Sequence, residues 1–188
     1  MKPALPVTLR ERKVVIGLIW FWSFTLYSFL GFLLETAYSR AVGGREDRKT
    51  LWVLPLCPVY GLGACAILLL PESVRRQLPL LFVFGGLIAT TVEYGMAVIY
   101  ERGLGVSFWD YTGMPGNVQG RVCLPFSMAW GVLAVVLVRW LHPAAVPWLA
   151  GPPVPLSWLA LTTVLTDLVL SSVLLKKTGD RERLKWYG

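Results

Sequence analysis

The chain has 188 residues, of which 55% are hydrophobic, and its mean hydropathy is +0.59. So apolar a composition leaves few residues for a water-soluble domain, and it predicts one integral membrane domain over residues 1–188. We therefore interpret the net charge of +7 as a topology signal and an attraction to anionic lipid headgroups, and we expect no nucleic-acid partner.

Five apolar runs are each long enough to cross a bilayer, which takes about 20 residues. We predict transmembrane helices at about 14–38, 51–70, 78–100, 122–141 and 156–175. The first run is longer than the apolar core of a secretory signal, so we expect it to remain as a helix. The predicted fold class is all-α, a polytopic integral membrane bundle of about five helices.

Five crossings divide the loops between two faces of the membrane. The first face holds the N-terminus and the loops at 71–77 and 142–155, and the second face holds the other loops and the C-terminus. Of the 18 Lys and Arg residues, 7 belong to the first face and 11 to the second. The positive-inside rule therefore favours a cytoplasmic C-terminus, although Arg10, Arg12 and Lys13 before the first span argue the other way.

Three carboxylates lie inside or near the ends of these spans. Glu93 and Asp167 interrupt the third and fifth spans, and Glu35 lies near the end of the first. Insertion of an acidic residue at the bilayer centre costs roughly 2.5 to 3.5 kcal/mol, so such residues are usually paired or functional. All three lie within about 12 Å of the second face at 1.5 Å per residue. We predict a polar vestibule facing the loops 39–50 and 101–121, with the alternative that Asp167 only bonds across a helix interface.

The second span has two prolines close together near its start. Pro55 and Pro58 cannot both lie deep in a regular helix without freeing backbone carbonyls, so we expect the first turns to be irregular. Irregular backbone at membrane depth is tolerated where it lines protein or a cavity, and this segment, with Tyr60, is therefore expected to line the vestibule. The alternative is an ordinary helix start, which fits Pro55 better than Pro58.

The chain contains a weak internal duplication. Glu35 followed by Cys57-Pro58-Val59-Tyr60-Gly61 parallels Glu93 followed by Cys123-Leu124-Pro125-Phe126-Ser127. A parallel repeat would place two equivalent helix pairs around an axis along the membrane normal. The alternative is a chance match in apolar sequence.

The loop from Phe108 to Arg121 carries the most varied chemistry. Its aromatic residues fit an interfacial belt, and its Gly, Pro and Asn residues fit turns. Asp110 and Asn117 lie near the predicted vestibule, and Arg121 stands at its mouth. We expect Arg121 to pair with Glu35 or Glu93 at rest, or to offer a bidentate fork to an anionic ligand.

Five separated motifs occur in a fixed order along the chain: residues 27–35, 57–61, Glu93-Tyr94, 109–112, and Asn117 with 120–124. Together they resemble the ABC-transporter type IV (CmpB-like) membrane family. The resemblance implies a membrane permease, and we expect it in a prokaryotic plasma membrane. The chain departs from the family at Arg48-Lys49-Thr50-Leu51, where the family usually has an Asn-Arg-Gly element.

A permease of this kind needs partners. The sequence has no G-x-x-x-x-G-K-[ST] phosphate loop, so a separate ATPase subunit would supply the energy. Five spans are few for a complete pathway, which implies a homodimer or larger assembly. A second transport hypothesis is that Glu93 or Asp167 carries a proton without any ATPase. The predicted substrate-binding residues are Glu35, Tyr60, Glu93, Tyr94, Asp110, Asn117, Arg121 and Asp167.

Two other classes remain open. An intramembrane enzyme or binder acting on a lipid or isoprenoid could use Glu93 or Glu35 as base, Arg121 for an anionic headgroup, and Tyr60 or Tyr94 as donors. No nucleophile motif stands out, and we assign no catalytic residue. A scaffold that modulates another membrane protein also fits so small a chain.

Metal and disulfide chemistry are not expected. The only histidine, His142, belongs to the first face, away from the predicted vestibule, and we predict neither a metal site nor a cofactor. The odd set of Cys57, Cys65 and Cys123 gives no disulfide framework, so we expect reduced thiols.

Overall fold

The protein is described by a computed structural model, which covers residues 9–43, 51–149 and 151–184, with side chains from Val14. The described part is helical, and its only β contact is an isolated bridge between Val118 and Val122. The helices are α1 (Leu9–Ala41), α2 (Pro58–Leu68), α3 (Glu72–Arg75), α4 (Leu78–Val98), α5 (Leu124–Val136), α6 (His142–Leu149) and α7 (Val154–Thr178). A π-helical segment Ile99–Leu104 extends α4, another at Leu137–Leu141 joins α5 to α6, and a 3₁₀ turn Arg181–Leu184 follows α7.

Four helical stretches are long and apolar enough to cross a membrane. They are Val14–Ala41, Leu78–Leu104, Leu124–Leu149 and Val154–Thr178. Their outer faces carry many exposed aliphatic and aromatic side chains, which is what contact with lipid requires. The all-helical membrane class is confirmed.

The second predicted crossing differs from the other four. Its helix, α2, has 11 residues, or about 16 Å at 1.5 Å per residue, against a hydrocarbon thickness of about 30 Å. The preceding residues 51–57 are not helical, and the Cys57 N–H donates to the Ser28 carbonyl midway along α1 at 2.9 Å. The expectation of irregular first turns is confirmed, and we call the non-helical residues 51–57 the entry segment. Helix α2 by itself is too short to cross a membrane.

Two predicted boundaries were placed too early. The third span continues as helix to Leu104 and the fourth to Leu149, so the predicted 142–155 loop is reduced to a few residues around Gly151. Pro143 and Pro147 lack the N–H that would bond four residues back. The π-helical segment before Pro143 accommodates one missing bond, and the helix continues instead of ending.

The helix pairs α1/α2 and α4/α5 approach closely through small residues at matching positions. A Cβ on Gly61, four residues after Cys57, would collide with Ser28, which lies seven residues before Glu35. A Cβ on Gly86, seven residues before Glu93, would lie 3.1 Å from the carbonyl oxygen of Ser127, four residues after Cys123. The same pair of positions therefore makes the close contact in both hairpins, which supports the predicted duplication.

The last helix, α7, packs against α1 and the entry segment. The Trp22 indole donates to the Ser157 hydroxyl at 2.9 Å near the start of α7. Farther along α7, Val164 joins Leu51 and Leu56 in a buried apolar cluster. Helix α7 therefore holds the non-helical residues 51–57 in place from the side.

Candidate functional site in the membrane

Glu93 is the centre of the polar site. It lies on α4, is 3% exposed, and accepts hydrogen bonds from the Trp130 indole at 2.8 Å and the Tyr111 hydroxyl at 3.0 Å. Both donors are neutral. No Lys or Arg in the described part of the chain forms an ion pair with this carboxylate. Among the described residues, the Glu93 carboxylate is therefore stabilised by two hydrogen-bond donors and by no counter-charge.

Glu35 is connected to Glu93 through two aromatic side chains. The Tyr60 hydroxyl donates to Glu35 Oε1 at 2.7 Å, and the Tyr60 ring meets the Trp130 ring edge-on with centroids 4.9 Å apart. The two carboxylates are close enough for their charges to interact. We call Glu35, Tyr60, Trp130, Glu93 and Tyr111 the carboxylate network.

Tyr111 brings the long loop into this network. Its ring stacks on Phe126 of α5 with centroids 4.7 Å apart, and its hydroxyl reaches Glu93. Burial, reinforced by the nearby Glu93 charge, raises the pKa of Tyr111 well above its ordinary value. Tyr111 therefore keeps its proton at neutral pH and acts as a donor to the carboxylate.

Asp110 and Asn117 shape the loop that presents Tyr111. Asp110 Oδ1 accepts from the Thr112 backbone N–H at 2.8 Å and from the Thr112 hydroxyl at 2.6 Å. These two bonds hold the pKa of Asp110 below its usual value, and the bond from the Thr112 hydroxyl has the larger effect. Asn117 Oδ1 accepts from the N–H of Gly120, which has φ +70° and whose Cβ would lie 2.6 Å from Asp110 Oδ1. Both predicted site residues thus bond to their own loop.

The predicted partner of Arg121 was wrong. Arg121 forms a two-pronged ion pair with Glu101, at 2.6 Å from Nη2 and 2.9 Å from Nε, and not with Glu35 or Glu93. This bond to Glu101 raises the pKa of Arg121. The reason is the π-helical extension of α4, which carries Glu101 past the predicted helix end to the loop. Arg121 also contacts Gln119 and lies over the Tyr94 ring, 5.5 Å from its centroid.

Tyr94 lies on α4 one residue after Glu93 and points to different partners. Its hydroxyl donates to Gln119 Oε1 at 2.9 Å. Gln119 has φ +55°, which an L-residue rarely adopts, and it bonds both Tyr94 and Arg121. Tyr94 and Arg121 therefore form a second cluster at the loop. This cluster is connected to the carboxylate network through the backbone of α4.

Asp167 is engaged by the backbone of the entry segment. Its carboxylate accepts from the Val53 N–H at 3.1 Å and the Leu54 N–H at 2.7 Å, and Ser171, one turn along α7, accepts from the Trp52 N–H at 2.8 Å. In a membrane each unsatisfied N–H costs several kcal/mol. These contacts fit the interface alternative considered for Asp167, and they separate it from Glu93 and Glu35.

Four residues of these clusters were not among the residues predicted for the site. Trp130 and Tyr111 donate to Glu93, Glu101 pairs with Arg121, and Gln119 bonds Tyr94 and Arg121. A buried tryptophan usually finds a partner for its indole N–H, so Trp130 within the fourth span was a signal. Glu101 was hidden because the helix was expected to end before it.

The remaining titratable candidates lie elsewhere. His142 Nδ1 is 2.7 Å from the Tyr27 hydroxyl, toward the first face. The structure describes all three cysteines, Cys57, Cys65 and Cys123, and no disulfide joins any two of them. In the part of the chain that the structure covers, no three His, Cys, Asp or Glu side chains are grouped to hold a metal ion.

Comparison with known proteins assigns the chain to a family. The model of the family described as "Putative ABC-transporter type IV" matches residues 22–174, which is 153 of the 188 residues and includes the whole carboxylate network. No curated protein and no solved structure matches the chain. The chain is therefore an integral membrane protein that belongs to the ABC-transporter type IV family.

Proposed function

We propose that the chain is a membrane permease subunit whose working site is the carboxylate network. The observation that carries this proposal is a pair of acidic groups inside the apolar spans, Glu35 and Glu93, linked through Tyr60 and Trp130. Ionisable residues at such depth mark ion and substrate pathways more often than they stabilise a fold. The acidic lining favours a cation or a neutral polar solute over an anion.

Two buried hydroxyls add capacity for a ligand or water. Ser28 Oγ and Thr90 Oγ1 are buried and have no hydrogen-bond partner among the described residues. Thr90 precedes Glu93 by three residues, and Ser28 precedes Glu35 by seven, so each shares a helix face with its carboxylate. An unsatisfied buried hydroxyl costs about 1 to 3 kcal/mol, which a bound polar group would recover.

The other predicted site residues act in this proposal by positioning. Asp110 and Asn117 fix the loop that presents Tyr111, Arg121 anchors the loop to the end of the third span through Glu101, and Asp167 holds the entry segment. Tyr94 remains the predicted ligand contact closest in sequence to Glu93.

In this proposal the network faces the second side of the membrane, which the excess of basic residues favours as the cytoplasmic side. An ATPase subunit would therefore dock on the face that carries the C-terminus, and a second copy of the chain would complete the pathway. The test is gentle purification from native membranes followed by mass spectrometry. A stoichiometric partner carrying a phosphate-binding loop supports the proposal, and its repeated absence under conditions that preserve known transporter complexes contradicts it.

Proton-coupled transport is a second candidate, and a specific observation favours it. Glu93 has only neutral donors among the described residues. Gaining a proton there would break no ion pair, so Glu93 could exchange protons during a transport cycle. Purified protein in liposomes would then take up protons when a transported solute is added, without ATP, and Glu93→Gln would abolish this uptake while a Thr91→Ala control would not.

A further inference from the structure

A cavity lies between α1 and α5, outside the carboxylate network's hydrogen bonds. It has a volume of about 240 Å³ and is lined largely by apolar side chains. Leu30 and Leu34 of α1 form one wall, and Leu133 of α5 forms the other with Leu137 and Leu141 of the π-helical segment that follows α5. Helix α2 forms the floor. Leu34 and Leu141 are each 42% exposed, so the cavity opens sideways to the surrounding lipid. We call it the lateral groove.

Gly63 provides separate evidence that the lateral groove contains open space. It lines the groove and is buried, yet a Cβ built on it would meet nothing within 4 Å. Gly61, on the same helix, behaves in the opposite way, because its Cβ would collide with Ser28. A buried position with open space beside it means that the groove can hold atoms that the chain itself does not supply.

The length of the groove matches one leaflet. Its wall on α5 and the π-helical segment after it runs from Trp130 to Leu141, about 16 Å at 1.5 Å per residue, and half of the hydrocarbon thickness is about 15 Å. The inner end is closed by Trp130 and Tyr60, and the outer end lies beside the Tyr27–His142 hydrogen bond, on the side that we assign to the first face. This is the extent of one acyl chain in the first-face leaflet.

Basic residues lie next to the outer end: Arg75 near His142, and Arg139 two residues before the lining residue Leu141. Arg75 is close enough to His142 for its charge to act on it, and its Nε donates to the Leu70 carbonyl at 2.9 Å. Arg139 donates to the Arg76 carbonyl at 2.5 Å. Within the described residues, neither Arg75 nor Arg139 has an acidic partner, whereas Arg76 is paired with Glu72. Two guanidinium groups fixed by carbonyls are therefore available to a phosphate.

We propose that the lateral groove binds one acyl chain of an anionic phospholipid from the first-face leaflet, with the lipid phosphate held by Arg75 and Arg139. The apolar walls select a chain, and the two guanidinium groups select an anionic headgroup. The site shares only Tyr60 and Trp130 with the carboxylate network, and it does not depend on whether the protein transports a solute.

The test measures retained lipid on the intact purified protein by native mass spectrometry. Protein is exchanged into detergent with palmitoyl-oleoyl phosphatidylglycerol or with the corresponding phosphatidylcholine. We expect one retained phosphatidylglycerol, at least about fivefold above phosphatidylcholine, and a comparable loss in Gly63→Leu and in the double variant Arg75→Gln/Arg139→Gln. Equal retention of the two lipids, or full retention in both variants, overturns the proposal.

Matched controls separate this site from other effects. Gly17→Leu adds the same side chain at an exposed glycine of α1 with open space, and Arg76→Gln removes a paired arginine; both should retain the lipid. Added glycerol phosphate should not displace it, and displacement would overturn the acyl-chain claim in favour of a free phosphate ligand. If Gly63→Leu does not fold, the unmodified protein is tested instead, with phosphatidylglycerol that carries a photoactivatable acyl chain. Labelling at Leu133 or Leu137 supports the groove, and labelling only at outward Val132 or Leu87 overturns it.

Discussion

The indole of Trp130 on α5 and the carboxylate of Glu93 on α4 are joined by a 2.8 Å hydrogen bond inside the apolar bundle. This bond connects two of the described helices that pack closely against each other. It also brings Tyr60, whose ring lies against Trp130, into line with Glu93. The pair therefore has both a structural role and a place in the proposed site.

Replacing Trp130 with Phe tests the structural role. The ring remains apolar and aromatic, but Glu93 loses one of two donors while staying buried. We expect a loss of about 1 to 2 kcal/mol in the free energy of unfolding. Trp22→Phe is the matched control, because its indole bonds the neutral Ser157 hydroxyl. Unfolding followed in detergent should show the larger loss for Trp130→Phe, and equal losses would contradict the assignment.

Asp167→Ala should release the entry segment. The Val53 and Leu54 N–H groups would lose their acceptor, so residues 51–57 should open more often. Cys57 is 4% exposed and reports on this opening. We expect its alkylation by a maleimide, measured by peptide mass spectrometry, to be several-fold faster than in the unmodified protein. Asp167→Asn keeps one acceptor and should show a smaller rise.

A control for that experiment is Thr163→Ala, one turn before Asp167, whose hydroxyl donates to the Leu159 carbonyl of its own helix. Cys57 should react there at the unmodified rate. If Asp167→Ala also left Cys57 protected, the entry segment would be held by its apolar contacts and not by the carboxylate.

The Arg121–Glu101 pair makes a prediction about non-additivity. If Arg121 serves chiefly as the anchor of the loop, neutralising either partner should lower the melting temperature, and the double variant Arg121→Gln/Glu101→Gln should be little worse than either single one. Additive losses would contradict this role. A site in which Arg121 binds a ligand directly would instead show a loss of function in Arg121→Gln that Glu101→Gln does not share.

Asp110 makes a pH prediction. Its folded-state pKa is lowered by the Thr112 bonds, so its contribution to the loop is fully present above the ordinary Asp value of about 3.9 and is lost as the pH falls through the lower folded value. Hydrogen exchange of residues 109–121, corrected for intrinsic rates, should show protection that decreases only below about pH 4. Asp110→Asn should lose protection at neutral pH and show no further acid-dependent decrease.

Much of the architecture follows from the sequence because membrane-spanning runs are long and uniform. Four of the five predicted spans correspond to long apolar helices, and two prolines predicted the irregular start of the second crossing. The ends of helices were less predictable. The apolar runs end before Glu101 and His142, so the helices were expected to end there. Both helices continue instead, because π-helical segments maintain the backbone hydrogen bonds.

The sequence predicted the depth of the site residues in the membrane, but it did not predict which of their side chains contact each other. Counting residues placed Glu35, Glu93 and Asp167 at one level, yet the rotation of each helix decides which of them meet. Asp167 faces the backbone of Val53 and Leu54, while Glu35 and Glu93 connect through Tyr60 and Trp130. Pairing of Arg121 with Glu101 depended on a helix extension that no apolar run indicated.

The central claim is that the carboxylate network is the working site of a transport subunit. The most direct measurement is ATP hydrolysis by the complex purified from native membranes and reconstituted in nanodiscs, with unmodified protein, Glu93→Gln and the Trp22→Phe control compared at equal assembly. We predict that Glu93→Gln lowers hydrolysis at least about tenfold while the complex remains intact, and that Trp22→Phe does not. Equal hydrolysis by Glu93→Gln and the unmodified protein would contradict the claim.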